Sequence, residues 1–209
     1  MRTECRCGDS DDRQASRDGW TFRGRRILGL ALAAEDGSVH PAESSRRSPF
    51  AVVTSFQPGT ELYVGVAQDV DALLKQLAPS SPTCTAVRIE GRFEHVRLRS
   101  VGAQRRPYPP LADVLAGQRI FEESDVLGVV VGFCFPAHNG RLNLPGRHLH
   151  FLSEDRLRGG HVLSCRPAEC VVHVDHEAEI EVELPPGVEL KVHAGSGEDA
   201  EELLGFERD

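Results

Sequence analysis

Three histidines carry the clearest chemical signal in the chain. In Arg147-His148-Leu149-His150-Phe151, two imidazoles stand two residues apart. On a β-strand, residues i and i+2 project to one face, so His148 and His150 point together while Leu149 and Phe151 turn into packing. The polar stretch from Glu154 to Gly160 ends in Gly-Gly and reads as the turn of a hairpin. His161 then opens the return strand beside the pair. Three imidazoles so arranged can meet at ~2.0–2.1 Å from a zinc-like ion and leave coordination positions open, as a catalytic site requires. The bland alternative is a set of core or exposed histidines, since an H-x-H pair is common on strands. The other six, His40, His95, His138, His173, His176 and His193, read as surface or structural residues. His173 and His176 are three apart, a spacing that a strand does not aim at one point.

The elements that must position these side chains are mostly strands. Ile27 to Ala34, Phe50 to Phe56, Arg147 to Ser153, Gly160 to Cys165, Cys170 to Asp175 and Ala178 to Leu184 are apolar, β-branched or alternating. Thr85 to Glu90 and Phe93 to Val101 read as a hairpin about Gly91, and Ile120 to Glu123 and Leu127 to Phe135 as two further strands. Asp69 to Leu77 reads as a helix, with Asp69 or Asp71 as its cap and Val70, Leu73, Leu74 and Leu77 on one face. Shorter helices are expected at Leu111 to Gln118 and Asp199 to Leu204. Pro107 to Pro110 is a rigid connector and Pro136 to Gly146 a loop. The pattern is strand-dominated α+β. Residues 1–19 read as a disordered polar tail, and 20–209 as one domain. Cys5 and Cys7 form a C-x-C within that tail.

Composition narrows the classes of function. The 209 residues carry a net charge of −8. Nucleic-acid binding needs clustered Lys and Arg, so no nucleic-acid partner is expected. No run approaches the ~18 apolar residues of a membrane span, and no apolar leader precedes the fold, so a cytoplasmic protein without a membrane partner is expected. The six cysteines then read as free thiols rather than disulfides.

The segment PGRHLHFLSEDRLRGGHVL (Pro145 to Leu163) resembles the metal-binding segment of the alpha-acetolactate decarboxylases. Four other pieces fall in that family's order and spacing: SPFAVVTSF (Ser48 to Phe56), AVRIEGRFEHVRLRSV (Ala86 to Val101), RPYPPLADV (Arg106 to Val114) with the following Gln118, and GVVVGFCFP (Gly128 to Pro136). The resemblance implies a mixed β-sheet joined to a small β-barrel, and a cytoplasmic, dimeric, zinc-dependent lyase that converts alpha-acetolactate to acetoin and carbon dioxide. It assigns the metal ligands to His148, His150 and His161. The family's arginine lies in the pattern F-x-x-V-x-x-R-S, here Phe93 to Ser100, and falls on Arg99. A glutamate near the C-terminus of the family matches Glu207.

The chemistry implied is coherent. A 2-hydroxy-3-oxo acid offers neighbouring oxygens to Zn2+ or another divalent transition metal, and loss of carbon dioxide leaves an electron pair that an enediolate accommodates. Arg99 can grip a carboxylate or the enediolate. Glu207 can ligate the metal or return the proton.

Three positions depart from the family pattern. Trp20, after Asp18-Gly19, stands where a Leu-Asp-Gly-Glu segment would bring another glutamate; Arg147 replaces an aromatic residue; and Ser164 stands where aspartate is frequent. These departures keep open a divergent metalloenzyme acting on another 2-hydroxy-3-oxo or β-keto acid, and an inactive metal-binding relative. A cupin-like barrel also uses H-x-H, but the position of Glu154, four residues after His150, fits it poorly.

Overall fold

The computed structural model describes residues 19–24, 27–42, 52, 54–77, 84–102, 111–136 and 146–177. Strands dominate them: β1 (Gly19–Gly24), β2 (Ile27–Ala33), β3 (Val39–Ala42), β4 (Thr60–Val64), β5 (Cys84–Ser100), β6 (Arg119–Phe135), β7 (Gly146–Ser153) and β8 (Gly159–Glu177). Two helices, α1 (Val70–Leu77) and α2 (Leu111–Ala116), complete the elements. The first three strands form one sheet, and the other five a second in the order β4-β8-β5-β6-β7. Because β7 also pairs with β8, the second sheet closes on itself through β8, β5, β6 and β7. This is the expected strand-dominated α+β fold with a small ring of strands, and every ladder among the described residues is antiparallel.

Three expected strand breaks are absent. The hairpin expected over Thr85 to Val101 is instead one 17-residue strand, Cys84–Ser100. Gly91 suggested a turn because it lacks a side chain, yet its role is to let a neighbour close in: a Cβ there would lie 2.6 Å from the Cα of Cys170. The strand bulges at Gly91 and continues. The two pieces expected within 120–135 are likewise one strand, and those within 160–175 form the 19-residue β8. In Phe50 to Phe56, the described residues Val52 and 54–56 are not strand. They are held from the side: the Thr54 hydroxyl donates to Glu177, and the Gln57 amide donates to Asp175 Oδ2 at 2.6 Å.

Helix α1 forms where the sequence places it. Asp69 is the cap, its Oδ1 accepting from the amides of Asp71 (2.9 Å) and Ala72 (3.1 Å). Val70, Leu73 and Leu74 are buried against the main core. That core also holds Phe93 and Phe151, whose rings meet edge to face at 5.4 Å. The first sheet is tied to the β7–β8 hairpin by Val39 N to Leu157 O and Gly159 N to Gly37 O, both 3.0 Å. No helix among the described residues is long and apolar enough to cross a membrane. The expected tail 1–19, apart from Gly19 in β1, lies outside the described residues, as do Cys5, Cys7, Pro107 to Pro110, residues 137–145, the strand expected at Ala178 to Leu184, the helix expected at Asp199 to Leu204, and Glu207.

Candidate metal centre

The hairpin between β7 and β8 is what brings the histidines together. Its turn is locked by Ser153, whose hydroxyl donates to Asp155 Oδ1 at 2.6 Å and accepts from the Arg158 amide at 3.0 Å. The register that results sets His150 directly opposite His161. His148 projects to the same face as His150, two residues along. The ring centroids lie 5.0 Å apart for His148–His150, 4.9 Å for His148–His161 and 5.0 Å for His150–His161.

The donor nitrogens converge more closely. Nε2 of His150 is 3.2 Å from Nε2 of His148 and 3.4 Å from Nδ1 of His161. One ligand atom from each of the three lies within 4.8 Å of the others, so the group could hold a metal ion. The spacing suits one: metal–nitrogen bonds of ~2.0–2.1 Å in tetrahedral geometry put neighbouring donors ~3.3 Å apart. Electrostatics agree with that chemistry. His150 is 2% exposed. Burial first, then His161, His148 and Arg99, holds it well below the ordinary imidazole range. A neutral imidazole is the form that ligates.

Arg99 joins the same cluster. It is 6% exposed and stands opposite His161 in the β5–β8 ladder. Its Nη2 lies 3.3 Å from His161 Nε2. Nη1 of Arg99 donates to Gln118 Oε1 at 3.4 Å. Four of the residues singled out in the sequence therefore meet in one place. Glu207 lies outside the described residues, and Trp20 sits in β1, paired with Ala31 in the other sheet.

Sequence reasoning gave no site role to Gln118 or Arg147 and offered Asp71 only as a possible helix cap, which Asp69 is instead. Arg147 Nε donates to Asp71, and its Nη1 donates to the Val162 carbonyl at 3.1 Å. The available signal was position. Arg147 precedes His148, so on a strand it must face the side away from the histidines, the side that α1 packs on.

Known proteins match over these same elements. The profile of the family described as alpha-acetolactate decarboxylase matches residues 32–192. The alpha-acetolactate decarboxylase of Methylococcus capsulatus is 36% identical over 153 residues, 72% of this chain and 59% of that protein. That of Bacillus licheniformis is 33% identical over 153 residues, again 72% of this chain and 60% of that one. The chain thus spans about three fifths of the length of these curated relatives. Among solved structures, the alpha-acetolactate decarboxylase of Bacillus subtilis strain 168 superposes with a TM-score of 0.81 at 25% identity, covering 94% of this chain and 86% of that one. The matched span contains all three clustered histidines and Arg99, and similarity in sequence and in fold runs through the same strands. The chain belongs to the alpha-acetolactate decarboxylase family.

Proposed function

We propose that this chain catalyses the metal-dependent decarboxylation of alpha-acetolactate to acetoin and carbon dioxide, with His148, His150 and His161 as ligands of zinc or another divalent transition metal. The observation that carries the reading is the convergence of these three imidazoles beside the buried guanidinium of Arg99. A divalent ion bound there supplies Lewis acidity to the substrate's carbonyl oxygen.

The chain's own groups then have distinct tasks. In the reaction, the bond to the carboxylate carbon breaks and its electron pair spreads onto the neighbouring ketone oxygen. Arg99 keeps a fixed positive charge in a buried place, where it grips the substrate carboxylate or the developing enediolate. Gln118 holds the second terminal nitrogen of that guanidinium and so fixes its plane. Burial keeps His150 neutral, so its lone pair is available for ligation. A proton must return to carbon, and Glu207 is proposed for that step on the resemblance alone. The same reading makes the protein a cytoplasmic homodimer.

The test is acetoin formation from racemic alpha-acetolactate by the zinc-loaded chain, beside His150→Ala and Arg99→Gln. Turnover is expected in the wild type and none in His150→Ala. Arg99→Gln is expected to keep its metal and lose about 10²–10³-fold in kcat/KM, the loss typical of removing one charge-stabilising donor. Bound metal without acetoin, but with turnover of another 2-hydroxy-3-oxo or β-keto acid, would move the assignment to that substrate. Bound metal with no turnover on any of them would leave an inactive relative.

A further inference from the structure

The strands that carry the first and third histidines part where the centre begins. The β7–β8 ladder runs from Leu152↔Gly159 to Phe151↔Gly160 and ends at His150↔His161. His148 lies two residues past the last rung, held on its other side by Phe133 of β6. On β8 the next residues are irregular. Leu98 faces Val162 and Arg97 faces Ser164, so Leu163 has no residue opposite it on β5. Backbone hydrogen bonds between β7 and β8 therefore do not set the separation of His148 from His161.

Arg147 spans that gap. Its side chain is 13% exposed and lies on the face opposite to His148. Nη1 donates to the Val162 carbonyl at 3.1 Å, Nη2 donates to the Leu163 carbonyl, and Nε donates to Asp71 Oδ1 in α1. One rigid, planar group thus engages acceptors on two elements. Two of the acceptors follow His161 directly, and the donor directly precedes His148. Asp71 offsets the arginine's charge, which matters near a place meant for a divalent cation.

We propose that Arg147 is a positioning residue of the metal centre: with Asp71 as its anchor, it fixes the separation of His148 and His161 where the strand ladder no longer does. This rests on the metal reading for its consequence, though not for its geometry.

The test uses the full chain with cobalt(II) as a spectroscopic probe and zinc affinity from chelator competition, in wild type, Arg147→Met and Asp71→Asn. Amide exchange of residues 146–150 and 161–163 is followed in the metal-free proteins. Arg147→Met is expected to lose about 10- to 100-fold in zinc affinity, the usual cost of removing a group that orients metal ligands. Its cobalt ligand-field bands are expected to change, and exchange is expected to quicken in those two segments but not across the core. Asp71→Asn is expected to move all three readouts the same way by less. A folded Arg147→Met protein with wild-type affinity, bands and exchange would overturn the proposal. If that variant fails to fold, Asp71→Asn decides, and wild-type values there would overturn it equally. A wild-type chain that takes up no cobalt sinks the metal reading instead, and the exchange comparison still decides whether Arg147 joins the two strands.

Discussion

His150 shows how one residue's surroundings set its chemistry. Taking an imidazole out of water penalises its charged form, and His161, His148 and Arg99 add to that penalty, so the folded pKa lies well below the ordinary value of 6.5. The consequence for stability has a definite sign. Above about pH 6.5, His150 is neutral in both folded and unfolded chains, and its contribution is flat. Below that, the unfolded chain binds a proton that the folded chain refuses, so stability falls as pH falls toward the folded pKa. The metal-free wild type is therefore expected to lose stability to urea between about pH 7 and pH 5, and His150→Gln to lose less over the same interval. Parallel profiles would contradict this. The triad itself was legible in the sequence because strand alternation and a short hairpin are both local. The role of Arg147 was not, because its acceptors are carbonyls whose availability depends on a bulge at Leu163.

At the scale of elements, the site depends on how closely β7 can lie against β6. Phe133 stands opposite His148 and Gly132 opposite Leu149. A Cβ on Gly132 would fall 2.0 Å from the His148 carbonyl oxygen, and backbone cannot yield as a flexible side chain would. Gly132→Ala is expected to cost about 1–3 kcal/mol in urea unfolding, as overpacking does, and to weaken metal binding through the displaced His148. Gly59→Ala, where a Cβ meets nothing within 4 Å, is expected to stay within about 0.5 kcal/mol. Equal effects at the two positions would remove Gly132 from the account of the site. Glycines also explain the misread elements. In sequence, Gly91 looks like a turn; in the fold it marks where Cys170 passes close to β5. Bulged strands of 17 and 19 residues resemble pairs of short ones in sequence, because each bulge resets the alternation by which a strand is recognised.

Closure of the second sheet decides what the whole molecule exposes and hides. Strand character was legible for β2 and for β5 to β8, where β-branched and alternating residues mark it, but not for β1, β3 or β4, and Phe50 to Phe56 was misread as a strand. Closure through the β7–β8 pairing was not legible, because it joins elements by register rather than by composition. Closure also fixes the state of the thiols. Burial raises Cys84 and Cys170 to about 11, and Cys134 and Cys165 to about 12. At about pH 7.5 all four should remain protonated and slow to alkylate, because the thiolate is the reactive form. A brief iodoacetamide pulse read by mass spectrometry is expected to label them only after unfolding, and rapid labelling of any in the native protein would contradict the burial. Among the described residues, no cysteine joins the group of side chains that could hold a metal ion. The most direct test of the central claim is therefore zinc-edge X-ray absorption on the protein loaded with one equivalent of zinc. A first shell of three imidazole nitrogens at ~2.0–2.1 Å is the result expected, whereas a sulfur shell at ~2.3 Å, or zinc that washes away, would contradict it.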